Sequence, residues 1–266
     1  MRTLYLVFFF LFIFLENIYS GNESDENNFS SWKSYLKVEL NGYYPNGNIS
    51  SDINIRQNFN SLGSGIQDNG SIWSYANGVS VGLQCMLYNS NLRMGVSSGL
   101  RYNDYLAEVY GSVSVYSDYF YLRYSELDQE TKFARVEVIT EKKEYFSIPI
   151  EFTYNVYNYK RLGLWTSLGG EVGLLCVSHE TDIEFVESKM NSYKSIVLES
   201  FGSPDEKALS NIYLTLGGSY SFKNGAFFRI DAIVFSDYIC SGQPFVIYES
   251  DFFNGFMMSL QFPIKK

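Results

Sequence analysis

From about residue 34 to residue 262 apolar and polar residues alternate with a period of two. That period is the mark of strands whose two faces meet different surroundings. A first strand, Ser34 to Tyr44, sets Leu36, Val38 and Leu40 against Lys37, Glu39 and Asn41. Gly78 to Tyr88 follows, with Val79, Val81, Leu83, Cys85 and Leu87 against Ser80, Gly82 and Gln84. Leu92 to Tyr102 then sets Met94, Val96 and Leu100 against Arg93, Gly95, Ser97, Gly99 and Arg101. The same alternation recurs in Tyr145 to Tyr154, Leu162 to Ser178, Ile212 to Phe222, Ala226 to Phe235 and Phe252 to Phe262. Pro149 removes a ladder donor from the fourth of these and predicts a bulge or break near a rim. Tyr110 to Tyr124 and Phe133 to Thr140 also alternate, as in Val136 and Val138 against Arg135 and Glu137. Polar Ser117-Asp118 and the stretch 126–131 favour reading these two as extensions of their neighbours. The count is then about eight strands, with ten the alternative.

The connections sort by length. Tight polar turns fall around Asn89-Ser90-Asn91, Asn158-Tyr159-Lys160 and Lys223-Asn224-Gly225. Long polar loops lie between them, roughly Pro45 to Asn77, Asn103 to Lys143, His179 to Leu209 and Ser241 to Ser250, and Ser203-Pro204-Asp205-Glu206 in the third predicts a short helix start. A meander with short turns at one end and long loops at the other predicts an all-β, up-and-down antiparallel transmembrane β-barrel.

Alternation does not say which face points outward. The composition of the polar face does. It is rich in Gly, Ser and Thr and poor in long solvating side chains, which suits the narrow interior of a small barrel. Its charges balance: Lys37, Arg93, Arg101 and Arg229 against Glu39, Glu151, Glu171 and Asp231. These eight form the expected interior charge network, because buried charges must be compensated. The apolar face is then expected to meet lipid, where a Lys or Arg near the midplane would cost roughly 2–4 kcal/mol. The aromatic share of 18%, with 23 Tyr and 22 Phe, fits girdles at two interfaces. A soluble β protein is the competing reading.

Arg2 followed by the apolar run Leu4 to Leu15 and Ile18-Tyr19-Ser20 reads as a cleaved signal peptide, 1–20, ahead of a barrel domain, 21–266. The run is too short for a membrane helix. A net charge of −9 leaves no basic stripe for nucleic acid. Cys85, Cys176 and Cys240 are an odd count, so no complete disulfide set is expected, and a Cys176–Cys240 bridge near the long loops would need Cys240 to leave the ladder. His179 is the single histidine, and no metal site or cofactor is expected. A Ser-His-Asp site would have to use His179 with Asp182 and a loop serine, and nothing in the spacing fixes one. Gly63-Ser64-Gly65 lacks the strand and helix that a phosphate loop needs.

Tyr145-Phe146-Ser147-Ile148-Pro149-Ile150 resembles the Tyr-x-x-Ile-Pro strand of the PorT-like outer membrane protein beta-barrel domain family. The Gly-rich stretch Leu162 to Leu175 and the pair Leu214 to Phe222 and Gly225 to Ala232 around Lys-Asn-Gly are similar too. Gly255 to Phe262 resembles a C-terminal barrel-insertion strand, although Pro263 to Lys266 follow its aromatic. The resemblance implies a small OmpA/OmpX-like barrel in a Gram-negative outer membrane, inserted by the barrel-assembly machinery through its last strand. It transfers no catalytic residue. The functional expectation is a non-enzymatic barrel whose long loops bind an extracellular ligand or protein partner, or serve adhesion. A narrow porin-like solute channel and a barrel-edge enzyme acting on lipid or peptide are the alternatives.

Overall fold

The computed structural model describes residues 32–50, 53, 55, 72–111, 119–125, 131–199, 201, 210–238 and 245–264. The signal segment, the Ser203-Pro204 helix start, Gly63 to Gly65 and Cys240 lie outside them. Among the described residues the chain is all-β. Its strands are β1 (Trp32–Ile49), β2 (Ile72–Asn89), β3 (Met94–Gly111), β4 (Phe120–Ser125), β5 (Thr131–Tyr159), β6 (Leu162–Phe185), β7 (Ser210–Ser221), β8 (Phe227–Tyr238) and β9 (Tyr248–Pro263). A 3-10 turn, Ser188–Tyr193, and the short helix α1, Lys194–Glu199, follow β6.

One antiparallel sheet runs β3-β2-β1-β9-β8-β7-β6-β5-β4, and β3 also pairs with β5. The pairing of β3 with β5 joins the sheet into a barrel-like ring, with β4 outside it as a partner of β5 alone. Closure pairs every ring strand on both sides over its lower part, which removes there the open edge that is the usual liability of a sheet.

The turns Ser90–Arg93, Lys160–Arg161 and Phe222–Ala226 gather at one end, together with the start of β1 and the end of β9. Arg93, Lys160 and Gly225 take positive φ there (56°, 55° and 84°), the left-handed conformation tight hairpins require. Asn89 Oδ1 accepts the N–H groups of Asn91 and Leu92 and braces the first turn.

The other end differs from expectation. Pro45–Ile49 continue in the ladder with β9, and Ile72–Asn77 in the ladder with β3, so part of the first long loop is strand. Tyr105–Tyr110 and Val138–Lys143 pair in turn and extend β3 and β5, whereas Phe120–Ser125, expected as part of such an extension, forms the separate short strand β4. Glu137 is an extra residue opposite Phe185 and Glu184, a bulge that changes which β5 residues point inward. Pro149 does break a ladder: β3–β5 pairing skips from Ser98/Ile150 to Arg101/Ser147. The break lies at the level of buried Arg101, deep in the wall and not at a rim.

The sign of the alternation is settled by burial. In the lower band, next to the turns, the apolar face points out: Val81 is 53% exposed, Leu83 54% and Phe152 56%. The polar face, with Lys37, Glu39, Gln84, Arg101, Ser147 and Glu151, points in and is buried. Above this band, where β3, β5 and β6 run on towards the long connections, the pattern reverses. Tyr105, Ala107, Val109, Val136, Ile139, Ile183 and Phe185 are buried inside, while Glu137, Glu180, Asp182 and Glu184 stand exposed outside. We call this part the crown. Its core also takes Ile53 from the β1–β2 connection, Val197 of α1 and Phe201 after it, and Phe245 and Ile247 from the β8–β9 connection. No described helix is long and apolar enough to cross a membrane.

Candidate functional site

Three layers fill the ring from the turn end upward. The lowest is an aromatic plug. Tyr35, Met86, Trp165 and Phe227 are buried together, and the Trp165 and Phe227 rings stack at 5.8 Å. The Trp165 indole donates to Ser219 Oγ at 2.7 Å, and the Arg229 guanidinium lies 5.3 Å from its ring centroid.

The middle layer is the charge network. Arg101, with no exposed surface, directs Nε to Glu39 (2.7 Å), Nη2 to Glu151 (3.2 Å) and Nη1 to Glu171. Lys37 Nζ lies 2.5 Å from Glu151 and 3.1 Å from Glu39. The Tyr213 hydroxyl donates to Glu151 at 2.8 Å. Arg229 and Asp231 form a separate pair at 2.7 Å, with Ser167 beside the guanidinium. The small residues opposite these groups are a steric requirement. A Cβ on Gly82 would stand 2.4 Å from Glu39 Oε1, and one on Gly169 would stand 2.3 Å from the Tyr213 ring. Adjacent strands must place glycine where the inward side chains are largest.

Seven of the eight expected interior charges are inside. Arg93 is the exception: it sits exposed on the first turn with positive φ, outside the network. Its correction has a local cause, since the chain turns two residues earlier than alternation from Arg101 back to Arg93 assumes. Without Arg93 the expected set has one carboxylate in excess. Lys143 and Glu141, both buried and inward on β5, were missed because they fall in what reads as a loop.

The top layer closes the ring at the base of the crown. Tyr105 stacks between Tyr43 (5.9 Å) and Tyr145 (5.7 Å), with Phe253 edge-on to Tyr43. Above them the fully buried Glu141 carboxylate accepts the backbone N–H groups of Val246 (2.8 Å) and Ile247 (2.9 Å). His179 Nε2 lies 2.5 Å from Glu141 Oε1. Glu141 therefore draws the β8–β9 connection into the mouth. Asp182, which a Ser-His-Asp site would have had to use with His179, points outward and pairs with Lys194. The side-chain surroundings of Cys176 are outside the described set, and Cys85 is exposed on the outer wall as a free thiol.

The crown's outer surface carries aromatic and acidic side chains together. Trp73 and Tyr75 on β2 face Tyr110 and Glu108 on β3, with the Tyr75 and Tyr110 rings edge-to-face at 6.0 Å. Tyr75 donates its hydroxyl to Glu108 Oε2 at 2.5 Å, and that bond pushes its pKa up to about 12. Arg135 pairs with Glu187 and lies 5.3 Å from the Tyr119 ring centroid. Hydrogen bonding to Arg135, then to Lys189, holds the Glu187 carboxyl below its ordinary range. Lower down, Lys142 and then Tyr102 do the same for Glu144.

Neither family models nor curated proteins match the chain. The likeness to PorT-like barrels accordingly rests on the residues quoted for it alone.

Proposed function

We propose that the ring is an eight-stranded transmembrane barrel of a Gram-negative outer membrane, exported with a cleaved signal peptide. β4 and the upper parts of β3, β5 and β6 lie outside the bilayer. The barrel is not an enzyme; it holds the crown at the cell surface, where aromatic and acidic side chains bind an extracellular ligand or protein partner. One observation carries the reading: the lower band is apolar outside and charged inside, and the crown is the reverse. Apolar residues 50% exposed around a wall are unfavourable in water, and the same wall is favourable against acyl chains. A crown with an apolar core and acidic exterior is suited to water.

The other parts agree. β9 pairs with both β8 and β1, as a last strand that closes the ring after insertion by assembly machinery would, and Phe262 faces outward. The aromatic plug, the charge network and the tyrosine layer occupy the lumen of the described structure, which favours a surface-presentation role over a solute channel. The PorT-like reading belongs to this proposal too.

The test is migration of the purified chain on a gel, unboiled against boiled, combined with protease treatment of intact cells. A heat-dependent shift and cleavage confined to the long connections are expected. Partition into the aqueous phase without detergent, or cleavage at the turns Ser90–Arg93 and Lys160–Arg161, would overturn the reading or its orientation.

A further inference from the structure

Outward cross-strand pairs climb the β2–β3 ladder into the crown in the order Val79/Asp104, Asn77/Leu106, Tyr75/Glu108 and Trp73/Tyr110. Val79 is the last outward apolar residue of β2 in the band. Above it Asn77 and Asp104 separate the upper two pairs from the apolar wall, and Glu108 lies among their rings. Rings of a membrane girdle would adjoin the wall without a carboxylate between them. These rings instead meet water: Trp73 is 56% exposed and Tyr75 39%. Contiguous uncovered apolar surface of this kind on a polar crown marks a contact site.

The three rings form a corner. Trp73 and Tyr110 are direct partners across the ladder, a relation that brings Cβ atoms to ~4.5–5.5 Å. Tyr75 stands two residues from Trp73 on the same face, and its ring plane meets that of Tyr110 at 73°. Glu108, two residues from Tyr110 on the same face of β3, accepts the Tyr75 hydroxyl at 2.5 Å. That bond fixes carboxylate and ring relative to each other, and it does not neutralise the carboxylate, because the phenol is an uncharged donor. Among the described residues no Lys or Arg pairs with Glu108. Lys142, on β5 opposite Leu106, is engaged with Glu144 at 2.6 Å and Asp104 at 3.9 Å. The corner therefore combines aromatic faces with one uncompensated negative charge.

We infer that the corner of Trp73, Tyr75, Tyr110 and Glu108 binds an alkylammonium group of an extracellular ligand. The inference rests on the reading of the crown as a ligand-binding surface and names the chemistry that surface selects. Rings alone accept any flat apolar group, and a carboxylate alone accepts any cation. Together they select a cation that carries its own apolar surface. An ammonium within ~6 Å of a ring centroid is attracted by the negative ring face, and its methyl or methylene groups give the same face apolar contact. An anion is repelled by both parts, and a neutral sugar would leave the charge unused. A bare Ca²⁺ needs about 6–8 oxygen ligands, and the corner offers one carboxylate. An alkylammonium reaches a cell surface on a free quaternary amine or on a lysine side chain of a peptide, and the test separates the two.

The experiment titrates the full chain, in polyoxyethylene detergent micelles, with two ammonium compounds, each against its uncharged counterpart. Choline is compared with neohexanol, in which carbon replaces the nitrogen, and N-acetyl-lysine methylamide with N-acetyl-norleucine methylamide. Binding is read by ligand-observed NMR, and folding of every variant by heat-dependent migration. In at least one pair the charged member should bind about fivefold more tightly, the size that a cation over an exposed ring supports. Trp73→Ala should remove that preference, and Glu108→Gln should weaken the charged member about threefold. A preference in the choline pair assigns the site to a quaternary amine, and one in the lysine pair to a peptide. With the heat-dependent shift intact, equal binding within both pairs overturns the ammonium site and leaves the barrel in place. A preference that survives Trp73→Ala also overturns the site. A chain without the shift removes the barrel and the inference that rests on it.

Discussion

β3 passes through both halves of the molecule with its inward positions unchanged in phase, yet their chemistry reverses. In the band, Ser97, Arg101 and Asn103 point in and Leu100 points out; in the crown, Tyr105, Ala107 and Val109 point in and Asp104 and Glu108 point out. The same backbone geometry thus serves two solvents. What differs is the source of stability. The crown follows the ordinary rule, with apolar burial contributing ~1.5–3 kcal/mol per large side chain. Inside the band that term is confined to the aromatic plug of Tyr35, Met86, Trp165 and Phe227. Above the plug the interior is held by ion pairs and hydrogen bonds among groups that cannot be left alone, and the exterior depends on what surrounds it.

The largest expected effect comes from the centre of the network. Arg101→Met leaves Glu39, Glu151 and Glu171 buried with Lys37 as their neighbouring cation. Breaking a buried pair in this way costs about 3–5 kcal/mol. Urea unfolding followed by heat-dependent migration should show a loss of that order, and a loss below about 1 kcal/mol would mean that the interior is hydrated enough to solvate the carboxylates.

A matched pair of substitutions attacks the contrast directly. Leu83→Arg, in the band between outward Val38 and Leu100, should cost roughly 2–4 kcal/mol in a bilayer. Glu184→Arg, exposed outward on the crown, should stay within about 0.5 kcal/mol. Equal costs at the two positions would remove the difference in solvent on which the comparison stands.

Glu141→Gln probes the junction. The amide keeps an acceptor but loses the charge that strengthens bonds from Val246 and Ile247, worth about 1.5–3 kcal/mol for bonds to a charged group. Hydrogen exchange at those two amides should accelerate, with the ladder of β1 and β2 unaffected. Unchanged exchange would show that Phe245 and Ile247 hold the connection by packing alone.

The smallest effect is a pH dependence of the crown's surface. Glu187 titrates below its ordinary value near 4.5 in the folded chain because it accepts hydrogen bonds from Arg135 and Lys189. A depressed carboxyl stabilises the fold above the unfolded value, and that contribution is lost as pH falls through 4.5 towards the folded value. The Val186 amide, which donates to the Arg135 carbonyl at 3.1 Å, should exchange faster over that window after correction for the intrinsic rate. A rate independent of pH would show that the pair does not brace this segment.

Much of the band was legible beforehand. Lys37 and Glu39 against Val38 and Leu40 states two faces outright, and the Gly and Ser content of one face told which was interior. The turns were legible because polar residues and a glycine interrupt the alternation. The crown was less so. The transfer of apolar residues from even to odd positions at Tyr102 to Tyr105 is visible in the sequence and marks the reversal, but it is easily read as the end of a strand. Glu141 gave no signal of its own: a glutamate among Thr140, Lys142 and Lys143 looks like a solvated loop, and its role exists only once residues 245–247 are brought against it.

By itself the amino-acid order determined the period of two, the short turns and the chemistry of each face, because these depend on neighbours two to four residues apart. It also required small residues where inward side chains are large. The tertiary structure alone decided that β1 meets β9 and β3 meets β5, that Arg101 gathers carboxylates from three other strands, and that three long connections supply a core to the crown. Each of those joins residues dozens to hundreds of positions apart, and only closure of the ring gives such distant groups a common place to be buried.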